Sequence, residues 1–158
     1  MKENQQLKVR FFKLNPNAKS PIQAHNTDAG WDVFYCPPLN LLEQEVFVPF
    51  GKNVVLGTGI KCEIPKGYYL EVKDRSGMAT KQGLKIGAKV IDRFYDGEIK
   101  INLHNISGKE PEIIEPFQKI AQLVLLPKPE YIWEESQVDD LNQNSQRGEK
   151  GFGSSGRF

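Results

Sequence analysis

The sequence predicts an all-β domain, a sandwich or barrel of short strands with one short helix. Three observations predict it. Apolar residues recur mostly with a period of two, turn-forming residues punctuate the chain at short intervals, and no segment sustains a long helical period.

The elements follow in order. Leu7, Val9 and Phe11 alternate with Lys8 and Arg10, which predicts a strand with one buried face. Trp31, Val33 and Tyr35 alternate with Asp32 and Phe34; Tyr68, Leu70 and Val72 alternate with Tyr69, Glu71 and Lys73; Ile99, Ile101 and Leu103 alternate with Lys100, Asn102 and His104. Between these runs stand Asn15-Pro16-Asn17, Pro37-Pro38, Pro49-Phe50-Gly51, Pro65-Lys66-Gly67 and Ser107-Gly108, all turn formers. Residues 77–82 read as the single short helix. Residues 90–98 read as strand, turn, strand, with Asp96-Gly97 as the tight turn. From Glu134 onward the apolar pattern stops, so residues 1–133 are expected to form the β domain and residues 134–158 a flexible C-terminal arm.

Composition narrows the chemistry. The chain has 158 residues, with 21 basic and 20 acidic side chains and a formal charge of +1. That length suits one domain able to bury a core unaided. The balance offers no polybasic face for nucleic acid. No apolar run approaches the ~20 residues of a membrane span, and the polar start MKENQQLKVR does not read as a signal peptide. A soluble, cytoplasmic protein is therefore expected, free of stable nucleic-acid or membrane partners. Two Cys (Cys36, Cys62) and two His (His25, His104) lack zinc spacing, and the cysteines read as buried free thiols. The remaining tools are carboxylates, hydroxyls, Arg, backbone amides and an oxygen-ligated metal.

Five segments can carry such chemistry. Asp32, in Ala29-Gly30-Trp31-Asp32, is a charge inside an apolar strand and needs partners. Asp74-Arg75-Ser76-Gly77 lies where a strand meets the short helix, offering amides and a cation to an anion. Residues 90–98 bring Asp92, Asp96 and Glu98 together, and Asp92, following an apolar pair, is expected to be a partly buried carboxylate suited to general-base work. Gln122 sits inside the apolar strand Lys119-Ile120-Ala121-Gln122-Leu123, where an amide must find partners. Last, residues 147–156 (RGEKGFGSSG) combine an Arg fork, glycines and a solitary Phe152, suited to phosphate contact and base stacking. Taken singly, each has an ordinary structural explanation: a cap, a turn or a polar tail.

Together and in this order, these segments resemble the five motifs of the trimeric dUTPase family, from Ala29 to Gly156. The closing RGxxGFGSSG and the central VID-x-x-Y-x-GE are the specific parts. The resemblance implies a jelly-roll-like β fold of the dUTPase-like (β-clip) kind. It also implies a homotrimer whose sites combine three subunits, and Mg²⁺-dependent hydrolysis of dUTP to dUMP and pyrophosphate, lowering dUTP and supplying dUMP for thymidylate synthesis. By the same resemblance Asp32 positions waters on the metal, which is held mainly by substrate phosphates and water. Arg75, Ser76 and Gly77 bind phosphate, with Ser76 near the scissile bond. Asp92 deprotonates the attacking water and contacts the 3′-OH, Tyr95 packs under the sugar, and Gln122 helps hold the water. Gly87, Val90, Ile91 and Lys100 fall among the substrate-binding residues, with uracil read by the main chain of residues 87–90 in a hairpin before Asp92. Arg147 and Ser154 meet the γ-phosphate, and Phe152 covers the uracil beside Gly153.

The sequence departs from the family pattern at Asp74, where Pro is usual, at Lys89, where Gly is usual, and at Phe117-Gln118, in place of Gly and an acid. Two other readings share some features: a dCTP deaminase-like enzyme of the same fold, and a nucleotide- or partner-binding β module without turnover. The Asp92…Tyr95 hairpin and the closing arm favour dUTP hydrolysis over the first. A chain with no leader suits a bacterium or a virus.

Overall fold

The computed structural model describes residues 6–108 and 110–137. It is built of strands, as expected, and four small antiparallel sheets share the work. Along the chain these strands are Arg10–Lys13 (β1), Trp31–Phe34 (β2), Val46–Val48 (β3), Asn53–Gly57 (β4), Ile60–Glu63 (β5) and Tyr68–Lys73 (β6), then Leu84–Ile86 (β7), Val90–Ile91 (β8), Lys100–Asn105 (β9), Glu112–Ile114 (β10) and Lys119–Pro127 (β11). The largest sheet has the order β2-β11-β6-β8, and a second runs β4-β9-β7; β1 pairs with β5 and β10 with β3. The expected short helix is one π-helical turn, Met78–Gln82, closed by Gly83 at φ +63°.

The core lies where the apolar faces of these sheets meet. Val33, Leu70, Val72, Ile101, Leu103, Ile120 and Leu123 are all buried within it. Each belongs to an alternating or continuous apolar strand, so the period of two read from the sequence is the period of burial. Buried polar groups are satisfied: Asn105 donates to the Val48 carbonyl at 2.8 Å and Thr58 to that of Ile99 at 2.6 Å.

Three expectations are corrected. The first strand has no buried face: every residue of β1 is exposed, and so are Leu7 and Val9 before it. Leu7, Val9 and Phe11 instead line a groove with Trp31, Leu70, Leu123 and Leu125 that is open to solvent, so their apolar side is left uncovered. The same holds at the rim end of β2, where Trp31 is exposed while Val33 is buried. Next, Asp96-Gly97 is not the tight turn. The chain reverses at Asp92–Tyr95, where the Tyr95 amide donates to the Asp92 carbonyl at 3.0 Å. Finally, the segment before Asp92 is not a hairpin: β7 pairs with β9 and β8 with β6, so residues 87–90 cross from one sheet to another. Both cysteines are free, Cys36 buried and Cys62 half-buried.

Candidate active site

The register of the main sheet aligns polar groups. Gln122 on β11 pairs with Asp32 on β2 and, on its other side, with Lys73 on β6. Residues directly opposite in an antiparallel pair share a face, so Asp32 and Gln122 emerge together beside the end of β6. There Arg75 Nε donates to Asp32 Oδ1 at 3.0 Å, and Lys119 Nζ approaches Asp32 Oδ2 at 2.9 Å. Arg75 Nη1 also donates to the Lys119 carbonyl at 3.4 Å. The isolated charge expected at Asp32 is therefore doubly paired, with its side chain only 16% exposed. Gln122 donates through Nε2 to the Asp74 carbonyl at 2.8 Å, and its amide lies so close to Gly30 that a Cβ there has no room. Ser76 and Gly77 are exposed just beyond Arg75, at the head of the helical turn.

The departure at Asp74 resolves plainly. Its carboxylate turns to β7, accepting from the Ile86 amide at 2.7 Å and pairing with Lys85 Nζ at 3.2 Å. Phe117-Gln118 is a turn variation in which Phe117 has φ +59° and the Glu115 amide donates to Gln118 Oε1 at 2.9 Å.

A second cluster forms around the reversal at Asp92. Val90, Ile91, Asp92, Tyr95, Ile99 and Lys100 line a pocket of about 200 Å³. The three carboxylates of this stretch differ in kind. Asp96 pairs with Lys61 Nζ at 2.7 Å, and that hydrogen bond and charge hold its carboxyl below the ordinary value. Glu98 accepts the Gly59 amide at 2.8 Å. Asp92 alone of the three makes no side-chain hydrogen bond or ion pair among the described residues. It is exposed, not partly buried as expected, because β8 is a two-residue edge strand that turns Ile91 inward and its neighbours out. Tyr95 donates its hydroxyl to the Glu98 carbonyl at 2.9 Å, which fixes the ring at the pocket's edge.

The two clusters do not meet within one chain. Leu70 pairs with Ile91, so Asp92 stands level with Tyr69. β6 runs on from there to Lys73, so Arg75 follows the opposite end of the strand. Arg147, Phe152, Gly153 and Ser154 lie outside the described residues.

Comparison with known proteins decides the family. The family described as dUTPase matches residues 16–156. The chain belongs to the dUTPase family. Membership makes it a hydrolase of nucleotide metabolism, a dUTP diphosphatase. Deoxyuridine 5′-triphosphate nucleotidohydrolase of Ehrlichia canis is 34% identical over 161 residues, covering 99% of each chain. That of Clostridioides difficile is 38% identical, covering 95% of this chain and 97% of its own. Among solved structures, a mutant dUTPase of Staphylococcus bacteriophage 80alpha with dUpNHpp has a TM-score of 0.71 at 30% identity, covering 94% of this chain and 98% of its own. A mutant dUTPase from phage phi11 of S. aureus, described for the coordination of a structural Mg(II) ion, has a TM-score of 0.68 at 27% identity, covering 84% and 97%. These neighbours accord with the jelly-roll-like β fold.

Lys119 is the residue that sequence reading left without a role. Its signal is indirect: an Asp inside an apolar strand calls for cations, but only the β2–β11 register says which lysine answers. The scaffold roles of Glu98 and of the Asp74 carboxylate were likewise hidden, since both depend on contacts distant in sequence.

Proposed function

We propose that the chain hydrolyses dUTP to dUMP and pyrophosphate by attack of water on the α-phosphorus, with Asp92 as general base. The observation that carries this reading is Asp92 itself: a carboxylate without side-chain partners among the described residues, in a pocket shared with Tyr95 and Lys100. A base must have a lone pair unspent and reach a water, and Asp96 and Glu98 are otherwise engaged. The new bond joins the water oxygen to the α-phosphorus while the bond to the bridging oxygen of the leaving pyrophosphate breaks. Asp92 takes the proton.

Arg75, oriented by Asp32, and the exposed Ser76 and Gly77 bind phosphate oxygens in this reading. Gln122, held by the Asp74 carbonyl, steadies the water. Residues 87–90 read the uracil through the main chain, with Ile91 and Lys100 completing the pocket and Tyr95 packing under the sugar. The arm of residues 134–158 closes the site, with Arg147 and Ser154 on the γ-phosphate and Phe152 with Gly153 at the uracil.

The donor set fits Mg²⁺ only as an ion carried by the substrate. Among the described residues no three His, Cys, Asp or Glu gather to hold a metal, and both Asp32 oxygens already face cations. A magnesium ion prefers phosphates and waters, and Asp32 would touch it through water. Its chemistry there is to neutralise charge on the triphosphate.

The position of the clusters at opposite ends of β6 supports a site shared between copies of the chain, and the homotrimer is the assembly we propose. Light scattering that gave a monomer would contradict it. No helix among the described residues is long and apolar enough to cross a membrane; the reading places the enzyme in the cytoplasm, in a bacterium or a phage-infected cell. Pyrophosphate release should be measured with dUTP, dTTP, dCTP and UTP, with Mg²⁺ and with excess chelator. Magnesium-dependent turnover of dUTP above the others is expected. Ammonia from dCTP, or tight dUTP binding without turnover, would overturn it.

A further inference from the structure

We infer that Asp74 is a positioning residue that holds the segment of residues 87–90 in place for reading the base, tying it to the phosphate-side cluster. The inference rests on the reading that this segment contacts uracil. Val90 pairs with Glu71 in the β6–β8 ladder, and three further hydrogen bonds hold the segment. The Lys89 carbonyl accepts the Val72 amide at 2.7 Å, the Gly87 amide donates to the Asn102 carbonyl at 3.0 Å, and the Ile86 amide, just before it, donates to Asp74 Oδ1 at 2.7 Å. Only the last of these comes from a side chain, so only it can be removed without touching the main chain. Gly87 is pressed against the Asn102 and His104 side chains, with no room for a Cβ.

The same residue serves the other cluster through its backbone. The Asp74 carbonyl accepts the Gln122 amide at 2.8 Å, and its neighbour Arg75 is bonded to Asp32 at 3.0 Å. A proline here, the family's usual residue, has no carboxylate for Ile86. The acid that stands where the family usually has Pro turns its carboxylate to β7 and supports the base-reading segment.

The kinetics should show where the tie acts. Uracil is unchanged by the reaction, so its contacts bind ground state and transition state alike, and loosening them raises KM more than it lowers kcat. In the full chain with Mg²⁺, Asp74→Ala should raise KM for dUTP about tenfold and change kcat less than about threefold. Asp74→Asn keeps an oxygen for the Ile86 amide and loses only the half-exposed pair with Lys85, so its KM should stay near wild type. Asp74→Pro, compatible with the family fold, should follow Asp74→Ala. Wild-type KM in both the Ala and Pro variants would overturn the inference. So would a fall in kcat that tracks a lowered melting temperature at constant KM, or failure of both variants to fold while Asp74→Asn folds. Equal kcat/KM of the wild type for dUTP, dTTP and dCTP would instead show that the base-reading assignment fails, and the inference falls with it.

Discussion

Asp32→Asn tests the cluster at the end of the main sheet most directly. Asparagine keeps the shape and can still accept from Arg75 Nε, but it removes the charge and turns an amide toward Lys119 Nζ. Two contacts weaken, at 3.0 and 2.9 Å. Hydrogen bonds to charged groups contribute about 1.5–3 kcal/mol each, and neutral ones about half that. Arg75 and Lys119 are 31% and 30% exposed, so water recovers part of the loss. The net cost is then about 2 kcal/mol, and at about 2–4 °C per kcal/mol for a chain of this size the melting temperature should fall by about 4–8 °C. Because Asp32 is largely shielded, the fall should persist in about 0.5 M salt, where exposed pairs are screened. Arg75 is also held less firmly, and a misplacement of order 1 Å can cost about a hundredfold in kcat/KM. Thermal unfolding at two salt concentrations and steady-state dUTP kinetics measure both. A melting temperature within about 1 °C of wild type, or unchanged kcat/KM, would refute the account of Asp32 as the anchor of both cations.

Asp92→Asn should lower kcat by about 10²- to 10⁴-fold with an unchanged melting temperature, since the Asp92 side chain is exposed and has no hydrogen bond or ion pair among the described residues; equal loss of both would point to a structural role. Ending the chain before Arg147 should abolish dUTP turnover while the β domain melts at the wild-type temperature, as circular dichroism would record; a large fall in that temperature would give the arm a share in the core. Burial pushes the Cys62 thiol up to about 11 and the Cys36 thiol above its ordinary value. Both should therefore resist alkylation at pH 8 in the folded protein and label fast in urea, with folded-state labelling of Cys62 rising as pH climbs toward 11. Rapid labelling of the native protein at neutral pH would show the thiols to be accessible.

What the sequence made legible was local. Alternation in Tyr68–Lys73 and Lys100–Asn105 set which side chains face the core, because a strand's period of two is fixed by its backbone. The demand that Asp32 and Gln122 find partners was equally readable, since it follows from the cost of burying a charge or an amide. Pairing was not legible. Asp96-Gly97 carries the composition of a tight turn, yet β8 joins β6 across the sheet and the chain reverses four residues earlier, at Asp92. The exposed β1 was misread for a related reason. Alternation says that a strand has an apolar face, and only the layers above it say whether that face is covered.

If the Asp32–Arg75–Lys119 cluster receives phosphate as proposed, it also accounts for how a nearly neutral chain can bind a highly charged substrate. Asp32, Arg75 and Lys119 together carry one net positive charge, and they are held in place before any ligand arrives. An unpaired Arg and Lys would attract phosphate as well, but as mobile chains whose ordering would have to be met on binding. Pairing both to one shielded carboxylate removes that entropy in advance and leaves the surplus charge at a fixed point. A field built this way is local, because the other charged side chains of the chain balance, 19 basic against 19 acidic. On the proposed reading the chain would select an anion at one end of one sheet without becoming a general polyanion binder, and the residue that orders this charge is the acid, not the bases.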